Sequence, residues 1–116
     1  MRHRSKTKIF SRSKAARVAM LKNLATSVIL YERVRTTEAK AKAVRPIVER
    51  LITTGKVKSL NTKRALDRVL PDKKAVKKIL EVLGPRYKDR NGGYTRIIKI
   101  EQRQGDGAHI AQVEFV

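Results

Sequence analysis

Charge constrains this chain before any motif does. Twenty-nine Lys and Arg stand against ten Asp and Glu, a formal net charge of +19 over 116 residues. Repulsion on that scale disfavours a compact state unless counter-ions or a polyanion screen it. Any fold must keep those cations outside and bury the 41% of residues that are apolar. With three Tyr, two Phe and no Trp, the core has to be aliphatic. The same imbalance makes nucleic acid the first candidate partner, ahead of an anionic membrane surface or an acidic protein. The length suits a single domain, with residues 1–12 as a basic extension and 13–116 as the globular core. No run approaches the ~18 apolar residues of a membrane span. The chain has no cysteine, which excludes a disulfide framework and thiol catalysis and fits a reducing cytosol.

The opening segment "MRHRSKTKIFSRSKAAR" lacks the apolar stretch of a secretory signal. It shares the Arg- and Ser-rich, acid-free character of a transit peptide, yet runs straight into a helix the core needs. Arg2, His3, Arg4, Lys6 and Lys8 have nothing to bury, so a solvated basic tail is expected there. A helix begins near residue 13, with Ser11 or Ser13 as cap, and carries Val18, Leu21, Ala25 and Val28 at helical spacing. Lys14 and Arg17 continue that stripe backwards. Either the first turns project past the core and present charge, or the helix starts later, near Arg17.

A short extended run, "YERVRTT", follows. Thr36 or Thr37 then caps a second helix whose apolar face is Val44, Ile47, Val48, Leu51 and Ile52. Glu38 sits in its first turn, where the helix dipole favours an acid. Pro46 predicts a kink near residues 42–45 and Gly55 a stop. Two shorter helices come next, over about 61–70 and 72–83, the last closed by Gly84-Pro85. "YTRIIKIEQR" and "AQVEFV" read as strands joined by the turn "QGDGAH". In the second, Ala111, Val113 and Phe115 alternate with Gln112 and Glu114. Helix, strand, three helices and two strands make a two-layer α+β domain.

Catalytic chemistry finds little support. His3 lies in the tail and His109 beside a turn, neither with a partner at metal-ligand spacing. The acids are scattered singly among cations, where surface pairing explains them. No enzyme activity, cofactor, metal or small-molecule substrate is expected. "RYKDRNGGYTR" poses a narrower question. Asn91-Gly92-Gly93 follows a helix and precedes a strand, the reverse of a nucleotide-binding phosphate loop. Glycine supplies positive φ for a turn; exposed glycines also let backbone N–H groups approach a phosphate. Its flanks, Arg86, Lys88, Arg90 and Arg96, are more cationic than a turn requires. Tyr87 and Tyr94 either stack on bases or pack beneath the loop.

Basic charge speaks of phosphate, not of base sequence. The helix pair over 61–83 is too apolar and Lys-rich for a helix-turn-helix. A compact core with a basic extension favours structured RNA, whose loops and grooves accept such tails. A DNA-compacting protein is the rival, but "GDGAH" offers no apolar wedge at the hairpin tip. A basic hydrolase is a distant third.

Several stretches carry a resemblance over essentially the whole chain: "MRHR", "MLKNLATSVI", "RVRTTEAKAKAVRPIVERLIT", "LGPRYKDRNGGYTRIIKI" and "GDGAHIAQVEFV". They resemble the bacterial large-subunit ribosomal protein seventeen family. That resemblance implies an α+β fold with a small mixed sheet and assembly on 23S rRNA beside other large-subunit proteins. It also implies a cytoplasmic, ribosome-bound place near the exit side of the nascent-chain tunnel. By position it assigns Arg2, His3, Arg4, Arg12 and Arg17 to an rRNA-facing N-terminal segment. Thr36, Thr37, Lys40 and Lys42 fall on a Thr-Thr and Lys-Ala-Lys pattern. Arg86, Gly92, Gly93, Tyr94, Thr95 and Arg96 fall on the late loop. The charge pattern adds Lys6, Lys8, Lys14 and Arg90. The tail departs from the family at Thr7-Lys8 and Phe10-Ser11-Arg12, and Ala15 and Ala16 stand where Ser and His are common. Charge contacts are expected there, not hydroxyl or imidazole contacts.

Overall fold

The computed structural model describes residues 3–4 and 9–116. Helix α1 spans Lys14–Tyr31, and the Ser13 hydroxyl accepts the Ala16 N–H at its start. Its buried residues, Ala25, Thr26, Val28 and Ile29, all lie in its second half. Of the two starts the sequence left open, the projecting one is observed: residues 14–16 are exposed, and even Val18 is 39% accessible. Glu32 ends the helix in the left-handed region at φ 61°.

Strand β1, Arg33–Thr37, leads into α2, Glu38–Gly55, at an extended Thr37. Thr37 occupies the cap position, but its hydroxyl makes no capping bond. Glu38 takes up the helix-dipole position and pairs with Lys42. Helix α2 runs unbroken past Pro46. Pro46 and Lys42 are both exposed, so water can serve the Lys42 carbonyl that proline leaves without a donor. Helix α3 spans Leu60–Val69, with the Ser59 hydroxyl accepting from Thr62 N–H. Helix α4, Lys73–Lys78, is capped by Asp72 at 2.8 Å from the Lys74 nitrogen.

The chain departs here from its predicted stop. It widens into a π-helical segment, Ile79–Leu83, and continues as a short α5, Gly84–Arg86. Gly84 N–H reaches back five residues to the Ile79 carbonyl, and by Tyr87 the ordinary four-residue step to Leu83 has returned. Pro85, which has no N–H to give, sits at the change of register. Gly84 is there for space: a Cβ on it would lie 2.6 Å from the Gly55 carbonyl oxygen. Gly55 likewise lies against Ile79, so the residue read as a terminator is also the crossing point of two helices.

Strands β2, Thr95–Gln102, and β3, His109–Phe115, complete a sheet ordered β1-β3-β2. Both pairings are antiparallel, so the mixed sheet implied by family resemblance is replaced by an all-antiparallel one. The reason is topological: β3 enters between its partners directly from the β2 hairpin. Helix α2 touches all three strands. One aliphatic cluster joins Ala25, Val28 and Ile29 to Val44, Val48, Ile52, Leu66, Ile79, Leu83, Ala111 and Val113. Tyr87 and Tyr94 add the aromatic part of that core.

Candidate nucleic-acid interface

The late loop is built from below. Tyr94 is 1% accessible, its hydroxyl 3.1 Å from Thr53 Oγ1, and it packs on Tyr87 with ring centroids 5.2 Å apart. Tyr87 in turn donates to the Val116 carbonyl at 2.8 Å. Neither ring is free to stack on a base, which corrects that alternative for Tyr94. Burial pushes the Tyr94 hydroxyl up; Lys56, with Thr53 and a Gly92 backbone bond, outweighs it and lowers its pKa. Lys56 Nζ lies 4.8 Å from the Tyr94 ring centroid and also donates to the Arg90 carbonyl. Thr95 is buried as well, donating to Glu49 Oε1 at 3.0 Å. It anchors the loop to α2 and is unavailable as an outward contact.

What remains outward is the tip. Gly92 and Gly93 have φ of 84° and 61°, and a Cβ on either would meet open space. The glycines are thus required by backbone conformation, while the same open space leaves them approachable. Arg90 is exposed beside them.

Arg86 and Arg96 are committed inside the protein. Glu114 is only 7% accessible, held by Arg96 Nε at 2.8 Å and Arg33 Nε at 3.4 Å. The register explains it, because Arg33 and Arg96 lie directly opposite Glu114 on either side of β3. The Arg96 bond is the main cause that holds the Glu114 carboxyl below the usual range, against burial. Arg86 pairs with Glu32, which raises the guanidinium pKa further; Lys78 lies 3.8 Å from the same carboxylate. Both arginines stay partly exposed, but a phosphate would compete with an existing carboxylate for each.

The other assigned residues separate. Thr36 is half-buried opposite Ala111, on the helix side of the sheet, and Thr37 is half-buried at the strand end. Lys42 is 2.9 Å from Glu38, and Lys40 is half-buried. Arg12 is exposed and donates to the Phe10 carbonyl, while Lys14 and Arg17 lie on the projecting start of α1, with no ion pair to the other described residues. Arg2, Lys6 and Lys8 lie outside the described residues; His3 and Arg4 form part of an exposed turn. Sequence reasoning missed Arg33 and Arg35, which point to one sheet face together. The alternation in "RVR" was their signal.

Among the described residues, no group of three or more His, Cys, Asp or Glu is placed to hold a metal, and no helix is long and apolar enough to cross a membrane. Among the described residues, five of the ten acids are engaged in ion pairs, at Glu32, Glu38, Glu49, Asp106 and Glu114. Ten acids cannot neutralise 29 cations, so the surface remains strongly positive.

Comparison with known proteins agrees with this surface. Residues 20–116 match the family model described as Ribosomal protein L17. The chain is 50% identical to "Large ribosomal subunit protein bL17" of Hydrogenobaculum sp. (strain Y04AAS1), over all of this chain and 99% of the relative. It is 49% identical to the protein of that name from Solibacter usitatus (strain Ellin6076), over all of this chain and 77% of that one. For Sulfurihydrogenibium sp. (strain YO3AOP1) the identity is 50%, over all of this chain and 97% of the relative. The chain belongs to the ribosomal protein L17 family.

Proposed function

We propose that this protein is a structural, non-catalytic constituent of the bacterial large ribosomal subunit, bound in the cytoplasm to 23S rRNA and to neighbouring subunit proteins. The observation that carries this reading is a surplus of cations, most of them without an ion pair among the described residues, on a small aliphatic core of the L17 family. Its chemistry is neutralisation and clamping. Arg12, Lys14 and Arg17 present charge from the projecting start of α1, continuous with the basic extension of residues 1–12. Arg90 with Gly92 and Gly93 offers a cation and close backbone approach at the loop tip. Tyr94 and Thr95 hold that tip in place from below. Arg86 and Arg96 contribute field more than direct contact, since Glu32 and Glu114 already engage them. The family resemblance adds a position near the exit side of the peptide tunnel.

Affinity for a 23S rRNA transcript, measured as a function of KCl, tests this. If ~8 phosphates are neutralised, affinity falls by roughly three to five powers of ten over a fewfold rise in salt. Binding that stays level across that range overturns the proposal.

A further inference from the structure

We infer that the groove between α3 and the α4–π segment is a second phosphate-binding site, taking a stretch of RNA backbone that the α1 start and late loop do not hold. The inference rests on the proposed rRNA-binding function. The groove has a volume of ≈ 560 Å³ and is lined by Lys58, Lys63, Lys73 and Lys77, with Val76 and Leu80 on its floor. Two carboxylates, Asp67 and Glu81, line it as well. All four lysines are exposed. Among the described residues, none of them has a carboxylate at ion-pair distance.

That lack of pairing has a local cause. Lys63 precedes Asp67 by four residues and Lys77 precedes Glu81 by four, the weaker polarity for such pairs on a helix. The acids are near enough in sequence to pair, yet the ammonium groups stay free. Lys73 and Lys77, also four apart, set like charges on one face, which costs the isolated helix stability. Between residues 58 and 81 there are eight Lys and Arg against three acids. The core does not use the four groove lysines, since α3 and α4 bury Leu66 and Ala75 on their other sides. A partner bearing regularly spaced negative charge removes the repulsion. A phosphate backbone supplies that spacing, and lysines serve it as point charges without demanding base identity.

The test compares three full-length proteins for binding to a 23S rRNA transcript across KCl: the parent, a fourfold Lys58, Lys63, Lys73 and Lys77→Gln variant, and an Arg12, Lys14 and Arg17→Gln variant. The groove variant is expected to lose at least ~tenfold in affinity at low salt, with the slope of log affinity against log salt shallower by roughly three. Its melting temperature is no lower than the parent's, since only repulsion is removed, and Lys→Arg at the four positions restores binding. Parent-like affinity and slope in the groove variant, with the α1 variant weakened, overturn the groove and leave the functional reading standing. So does parent-like RNA binding combined with loss of a ribosomal protein from reconstituted subunits, which assigns the groove to an acidic protein surface. A parent protein without salt-dependent binding overturns both.

Discussion

Glu114 shows how much one residue hides from a pattern. The alternation of β3 places Gln112 and Glu114 away from the helices, and it holds. It does not reveal that Glu114 is buried there, because burial comes from Arg33 and Arg96, which reach it across two strand pairings. Those partners lie far apart in sequence, so no local window contains the contact. The arrangement has a pH signature. The folded carboxyl titrates below its unfolded counterpart. Its stabilisation is therefore complete above the unfolded value of ~4.3 and drains away as pH falls through the lowered folded value. Asp106, lowered to about 2 by Arg103, and Glu38, lowered by Lys42, change in the same direction. Glu114→Gln isolates the central residue. At pH 7 the variant should melt below the parent, and the gap should narrow as pH falls below the unfolded value of ~4.3. A gap that stays constant with pH means that the ion pairs contribute nothing there. Arg96→Ala should likewise lower stability, because it removes one of the two guanidiniums that hold Glu114.

At the scale of elements, the long amphipathic segments were legible because burial follows helical spacing. Helix α2 buries Val44, Val48, Leu51 and Ile52 as its sequence spacing requires, and the helix expected to open at residue 72 is capped by Asp72. The π-helical segment was not legible. Ile79, Leu80 and Leu83 read equally well as an α-helical face, and Gly84-Pro85 carries the usual composition of a helix end. Tertiary contact overrides that local signal. Gly84 is helical, at φ −55° and ψ −55°, because only a residue without Cβ lets this turn approach the Gly55 carbonyl. Gly84→Ala would raise helix propensity in isolation, yet it should destabilise the protein by ~1–3 kcal/mol through overpacking against backbone. Denaturant unfolding checks this, with Gly93→Ala as a comparison. The latter meets no steric obstacle and bears only the cost of positive φ. A neutral or stabilising Gly84→Ala would return the Gly-Pro pair to the role of a helix terminator.

For the whole molecule, the class of fold was readable from periodicity and family resemblance, and the cationic surplus from composition. The order of strands was not, since hydrophobic alternation says which face is buried and not which strand lies beside which. The distribution of charge was only partly readable for the same reason. Pairing consumes some of the cations singled out in sequence, such as Arg86 and Arg96, and leaves others free, such as the groove lysines. The net result makes a prediction about the free protein. Salt weakens the ion pairs at Glu32, Glu38, Glu49, Asp106 and Glu114, which lowers stability; it also screens repulsion among the surplus cations, which raises it. Exposed pairs are each worth little, a median of ~0–1 kcal/mol. The repulsion, by contrast, is summed over a formal charge of +19. Repulsion should win, so the melting temperature of the RNA-free protein should rise as KCl is raised from ~0.02 to ~0.3 M, where the screening length falls below ~10 Å. Neutralising groove lysines to Gln should flatten that rise, because part of the repulsion is already gone. A melting temperature that falls with salt would show that the ion pairs, and not the unpaired cations, dominate the electrostatics of the fold.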